Sequence, residues 1–168
     1  MTKILINTRV IDVEYLGMSQ YIACCLLEGN GPAIIDPGPT VSLGKLEEGL
    51  RHAGLSLDDL GSVLLTHIHL DHAGATGTIV KRNPRIKVYV HQKGAPHMID
   101  PQRLLTSAER LYGEQMDVLW GDFLAVPEEN VQVLSGGESL EVADRRLQVA
   151  YTPGHAAHHV SFLDTSTG

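Results

Sequence analysis

The sequence predicts an α/β fold in a single domain spanning residues 1–168, on three observations. Its first third is a series of β-rich segments separated by glycines and polar breaks, its centre alternates strand and helix patterns, and short strands return after Pro127. Strand, helix and strand in succession imply crossover helices covering a partly parallel sheet. A chain of 168 residues is an ordinary size for one domain around one core.

Ile4 to Ile6, Val10 to Leu16 and Gln20 to Glu28 are rich in β-branched and apolar residues and predict the first strands. Gly29-Asn30-Gly31 supplies a hairpin turn into the next strand, Ala33 to Ile35, so this part reads as an antiparallel meander. Asp36-Pro37-Gly38-Pro39 ends it, because its prolines and glycine continue neither regular structure. From Val41 onward, Leu43, Leu46, Leu50 and Ala53 recur at helical spacing, with Gly54 placed as a C-terminal cap. A strand over Ser62 to Thr66, a helix from Gly74 to near Arg82 and a strand over Ile86 to Val90 follow. His91 to Phe123 is mainly helical, with Leu104, Leu105, Ala108 and Leu111 as an apolar stripe and Trp120 as an anchor or lid. The last strands fall at Val131 to Leu134, Ser139 to Val142, Leu147 to Thr152 and His159 to Leu163. Asp164-Thr165-Ser166-Thr167-Gly168 has the composition of a hairpin turn with no strand after it, which predicts a chain truncated in its second half. An unprotected sheet edge at His159 to Leu163 would result.

Apolar residues make up 43% and charged residues 20%, which argues against disorder. A formal net charge of -7 without a basic stripe argues against nucleic acid as a partner, since phosphate binding needs clustered Lys and Arg. The apolar runs are too short to cross a bilayer, and Met1-Thr2-Lys3 leads into a strand rather than a secretion signal, so a cytoplasmic protein with no membrane partner is expected. Cys24 and Cys25 are neighbours in an apolar strand, where an ordinary disulfide between them would be strained, and they read as packing residues.

His67-Ile68-His69-Leu70-Asp71-His72 packs three imidazoles and a carboxylate directly after an apolar strand. Neutral imidazole and carboxylate suit zinc, iron or manganese. A second His-rich segment, Thr152-Pro153-Gly154-His155-Ala156-Ala157-His158-His159, offers a further ligand. The first cluster begins where a strand stops and a helix starts, the usual place for an α/β site. His67 and His69 can face one cleft while Asp71 and His72 address a neighbouring position, so one turn can serve two ions. Gly74 allows the backbone to approach closely there.

His67-x-His69-x-Asp71-His72, preceded by Leu64-Leu65-Thr66 and followed by Gly74, resembles the metal-binding motif of the metallo-β-lactamase-fold hydrolases. Ile34-Ile35-Asp36-Pro37-Gly38 is similar to that superfamily's strand-then-Asp-x-Gly element, and Thr152-Pro153-Gly154-His155 to its next ligand motif. The thioesterase and hydroxyacylglutathione-hydrolase-like branch is the most similar. The resemblance implies an αββα sandwich of two similar halves, of which this chain holds the first and the start of the second. It implies that His67, His69 and His155 hold one metal and that Asp71 and His72 belong to a second, with Asp71 also catalytic in steering protons. Two zinc ions are implied for the intact site, with iron or manganese as alternatives. Asp36 would orient ligands from beside the site, and His159 matches a frequent histidine that is not usually a ligand. The family's bridging aspartate and final histidine have no counterpart, and Asp164 falls too early for the bridging role. A tri-histidine site with an open position remains a competent zinc geometry, but two ligands for the second ion predict weak binding or binding at one position.

The function implied is metal-dependent hydrolysis of an ester, thioester, lactone or amide bond in a small molecule. β-Lactam and ribonucleic acid substrates are disfavoured by the cytoplasmic reading and the acidic balance. One alternative is a mononuclear iron oxygenase resembling persulfide dioxygenases of the same fold. Another is a non-catalytic half-fold that forms a homodimer through its open sheet edge. His52, His91 and His97 carry no spacing signal, His158 reads as structural, and Tyr112 and Trp120 read as core residues rather than substrate platforms.

Overall fold

Seven strands lie side by side in chain order: β1 (Thr2–Leu5), β2 (Thr8–Asp12), β3 (Ala23–Leu27), β4 (Ala33–Ile35), β5 (Ser62–Leu64), β6 (Lys87–His91) and β7 (Val131–Leu134). The structure is a computed structural model and describes residues 2–5 through their backbone and residues 7–166 in full. Strands β1 to β4 pair antiparallel, whereas β4 to β7 pair parallel. The change follows from the connections: short turns join the early strands, and helices bridge the later ones. Helix α1 (Leu43–His52) joins β4 to β5, while α2 (Leu70–Ala73) and α3 (Thr76–Arg82) join β5 to β6. Helices α4 (Ala95–Ile99), α5 (Gln102–Tyr112) and α6 (Met116–Leu119) join β6 to β7. A second, antiparallel sheet of β8 (Ser139–Val142), β9 (Arg145–Tyr151) and β10 (Val160–Asp164) has β9 at its centre and β10 on an edge.

The middle of the larger sheet, β3 to β6, is covered on both faces, which explains why these strands read as apolar runs. On one face Leu26, Ile34, Val63 and Val88 pack with Leu46 and Leu50 of α1 and Ile79 of α3. On the other, Leu27, Ala33 and Leu64 meet Val142, Ala143 and Leu147 of the smaller sheet. Cys24 and Cys25 are both free thiols, the first in the helix-side core and the second against the other sheet. The layers are thus helices, mixed sheet and second sheet, the α/β architecture expected. No helix follows β7 among the described residues. None of the helices among them is long and apolar enough to cross a membrane.

Several boundaries differ from the sequence reading. The strand expected over Val10 to Leu16 ends at Asp12, whose carboxylate accepts from the backbone N–H of Glu14 and Gln20 at 3.0 and 2.8 Å and closes a local turn. The next strand consequently starts at Ala23 rather than Gln20. The helix expected from Gly74 is preceded by α2, so Asp71 and His72 sit in a helical turn. A Cβ on Gly74 would lie 2.6 Å from the Leu70 carbonyl oxygen and 2.9 Å from Pro39 Cα, the close approach that this glycine permits. Strand β9 starts at Arg145, a buried cation that pairs with Asp164 and donates to the Asn7 carbonyl at 2.5 Å. Ile6, expected to close the first strand, and Thr167 and Gly168 of the expected final turn lie outside the described residues.

Candidate metal centre

The parallel strands β4 and β5 end together, and the chain leaving each one builds the site. Asp36, just past β4, has φ 53°, a left-handed conformation that aspartate tolerates better than most residues. From there its Oδ1 accepts the Thr66 backbone N–H at 2.8 Å. Its Oδ2 accepts the Thr66 hydroxyl at 2.6 Å and His72 Nδ1 at 2.9 Å. A carboxylate only accepts, so His72 must carry its proton on Nδ1. The Thr66 hydroxyl donates its single proton to Asp36 and must therefore accept from His67 Nδ1, 2.9 Å away. In their neutral forms both histidines are left with a bare Nε2, the ligating form. That of His67 is buried and has no partner.

The opposite wall comes from the loop between β9 and β10, anchored where Val160 N–H donates to the Thr66 carbonyl at 2.8 Å. Ile68 N–H reaches His158 Nδ1 at 3.4 Å, and His159 Nδ1 lies 2.9 Å from the Thr152 hydroxyl. These contacts bring His155 to the first cluster, with its Nε2 3.1 Å from His69 Nδ1 and its ring centroid 4.8 Å from that of His67. The potential ligand atoms of His67, His69 and His155 all lie within 4.8 Å of one another. His72 Nε2 faces the Asp71 carboxylate at 3.5 Å. Asp36, His67 and His72 form a second close group, but both oxygens of Asp36 are engaged by Thr66 and His72, so it holds side chains in place. His159 is tied to Thr152.

Burial, reinforced by the surrounding imidazoles of His72, His69, His155 and His159, lowers the His67 pKa to about 3. Burial and His155 also lower that of His69. Burial acts downward on His72 too, but the hydrogen bond and charge of Asp36 and the charge of Asp71 outweigh it and raise its pKa. Burial and then His69, His91, His97 and His159 lower His158 to about 4. His67 and His69 are therefore neutral near pH 7, as a metal requires.

The donor set fits a cation. Two imidazoles on one tetrahedral zinc, each at about 2.0–2.1 Å, place their nitrogens roughly 3.3 Å apart, close to the 3.1 Å between His69 and His155. The unpartnered Nε2 of His67 would supply a third donor. A buried acceptor without a partner is costly, and a bound ion would satisfy it.

Beside these groups a cleft of about 420 Å³ runs from His69, Asp71 and His155 to helix α5. Leu104, Ala108 and Leu111 of the apolar stripe line it, and Leu111 is 78% exposed. Trp120 stacks on Tyr15 at 5.7 Å, meets Tyr112 edge-on at 5.2 Å, and lines the cleft with Tyr112. Tyr112, read as a core residue, is exposed at this cleft, whereas Trp120 is half-buried with its indole nitrogen enclosed and also lines it. His158, read as structural, stacks parallel to His67 at 6.2 Å. His91 is buried and stacks on Tyr151 at 4.6 Å.

Residues 20–168 match the metallo-beta-lactamase superfamily. The chain is 31% identical over 110 residues to the metallo-beta-lactamase fold-containing protein ST1585 of Sulfurisphaera tokodaii, covering 64% of this chain and 42% of that protein. It is 30% identical over 145 residues to a hydroxyacylglutathione hydrolase of Xylella fastidiosa, covering 86% and 42%. Among solved structures, ST1585 superposes with a TM-score of 0.73 at 26% identity, covering 95% of this chain and 60% of that one. A metallo-beta-lactamase family protein of Thermus thermophilus, TTHA1429, superposes with a TM-score of 0.69 at 28% identity, covering 95% and 56%. The chain spans from somewhat under a third to somewhat over half the length of curated relatives that it matches. With its histidines converged at the ends of β4 and β5 and this match over nearly its whole length, the chain belongs to the metallo-beta-lactamase superfamily, whose members are mostly hydrolytic enzymes.

Proposed function

We propose that this chain carries the metal-holding part of a hydrolase acting on small esters, thioesters, lactones or amides. In this reading zinc is held by His67, His69 and His155, and a weaker second position lies at Asp71 and His72. The observation that supports it most is the bare, buried Nε2 of His67 beside the imidazoles of His69 and His155. Zinc there would supply a Lewis acid and bring the pKa of water to about 7.

The chain's own groups do the rest. Asp36 and Thr66 fix the tautomers of His67 and His72, so that neither of these two rings would turn its N–H toward an ion. Asp71 lines the cleft with a partly exposed carboxylate, placed to accept a proton from water and return it to a leaving group. A mononuclear iron oxygenase site of two histidines and a carboxylate is less well supported, because His67, His69 and His155 converge without a carboxylate and, in the group of Asp36, His67 and His72, both carboxylate oxygens are engaged by Thr66 and His72.

Metal analysis of protein stripped with chelator and reloaded should give about one tightly held zinc per chain, in line with the ligand count. Hydrolysis of p-nitrophenyl acetate should then depend on that zinc and vanish in His67→Ala, with circular dichroism confirming the fold. Full activity in that variant would remove the assignment. Iron with oxygen consumption would move it to the oxygenase.

A further inference from the structure

The cleft beside the metal centre has walls of two kinds. One carries His69, Asp71 and His155; the other carries Leu104, Leu111 and Trp120. Leu104, Ala108 and Leu111 are spaced four and three residues apart, one stripe of α5, yet only Ala108 is buried. An amphipathic helix normally turns such a stripe into the core. Here Leu104 packs in part against the helix-side core, but the stripe as far as the exposed Leu111 also lines a space continuous with the metal ligands. None of the residues lining that space is Lys or Arg, and its one carboxylate is Asp71. An anionic group far from the metal would find no cation to pair with, and burying it unpaired is strongly unfavourable.

We propose that this cleft is an acyl-binding groove that selects neutral, medium-chain acyl groups, with the chain along Leu104, Ala108, Leu111 and Trp120 and the carbonyl directed to the histidines. It rests on the reading of the site as an acyl hydrolase and names the substrate class. An apolar cavity of about 150 Å³ takes up benzene, so the 420 Å³ cleft has room for more than twice that, an acyl group of about eight carbons with its carbonyl. The reaction is hydrolysis: water adds across the acyl bond, leaving a medium-chain acid and the protonated alcohol or thiol. Each methylene buried along the wall should improve binding about fourfold, the value for its transfer out of water.

Trp120 is the chain's single tryptophan and lines the cleft, so its fluorescence reports occupancy directly. Zinc-loaded protein should be titrated with octanamide, butanamide and suberic acid monoamide, the last of which adds a terminal carboxylate. Octanamide is expected to shift the emission saturably, butanamide on the order of 100-fold more weakly, and the monoacid at least about 10-fold more weakly than octanamide. Leu111→Glu, at an exposed position, should weaken octanamide about 10-fold or more while zinc uptake and circular dichroism are retained. Equal binding of all three amides, no response to octanamide, or unchanged binding in Leu111→Glu would overturn the proposal. Hydrolysis of p-nitrophenyl octanoate and acetate separates the two readings. Octanamide binding without hydrolysis of either ester refutes the hydrolase and leaves the groove, whereas zinc-dependent hydrolysis without octanamide binding refutes only the groove.

Discussion

Replacing Asp36 by asparagine should weaken metal binding at both positions without contact with either ion. The side chain keeps its shape, and its remaining oxygen stays with the Thr66 backbone N–H, a donor that cannot reverse. The new amide nitrogen then stands where Oδ2 accepts from the Thr66 hydroxyl and His72 Nδ1. Two donors cannot face each other, so both partners must change. His72 is forced to accept on Nδ1 and carry its proton on Nε2. The Thr66 hydroxyl turns to donate to His67 Nδ1, which moves that proton to Nε2 as well. Each ring thereby loses the lone pair that it offers to the cleft. Loss of an outer partner of this kind typically lowers metal affinity by about 10–100-fold, or about 1.4–2.7 kcal/mol. Zinc competition against a chromophoric chelator measures the loss, and long-range nitrogen–proton NMR of the metal-free variant reads the tautomers. Unchanged zinc affinity, or bare Nε2 atoms on both rings of the variant, would refute the reasoning.

Two further perturbations test the surrounding frame. In the metal-free protein, His67 and His158 are held near pKa values of about 3 and about 4, against an ordinary 6.5. The unfolded chain therefore binds more protons below pH 6.5, and these groups should make stability fall as pH drops from there toward 4. His72, raised instead, stabilises below 6.5 and loses that contribution as pH rises through its folded value, so it offsets part of the trend. Thermal unfolding in chelator from pH 8 to 4.5 checks the sum, and a Tm that holds or rises on acidification contradicts it. Gly74→Ala places a methyl against the Leu70 carbonyl and the Pro39 backbone, neither of which can rotate away. It should destabilise by about 1–3 kcal/mol, read from urea unfolding; an unchanged midpoint would show that the turn tolerates a side chain.

The metal cluster and most strands were legible because their signals are local. Apolar runs bounded by Gly and Pro mark β3 and β4, and imidazoles two residues apart need only a turn to converge. What escaped depends on neighbours distant in sequence. Nothing around Asp36 announces a left-handed backbone or a grip on Thr66, 30 residues later. The early end of β2 reflects competition by the Asp12 side chain for two N–H groups, which propensity does not register. The stripe on α5 is visible as a stripe; that its Leu111 end opens on a cleft while Leu104 reaches the core follows from where the neighbouring elements place the helix. His158 gives too little signal, since a histidine three residues past His155 looks the same in sequence whether it meets a backbone N–H or solvent.

His69 belongs to the larger sheet's side of the centre and His155 to the loop of the smaller one, 86 residues away. An ion held by both can bind only after the two sheets have docked, so it does not template the fold but locks it at the last step. Its binding energy then adds to the seam between the sheets. At a hundred times its dissociation constant, a ligand restricted to the folded state contributes about 2.7 kcal/mol. If the ion binds as proposed, its removal would loosen β8 to β10 first, exposing Leu27 and Leu64 of the larger sheet.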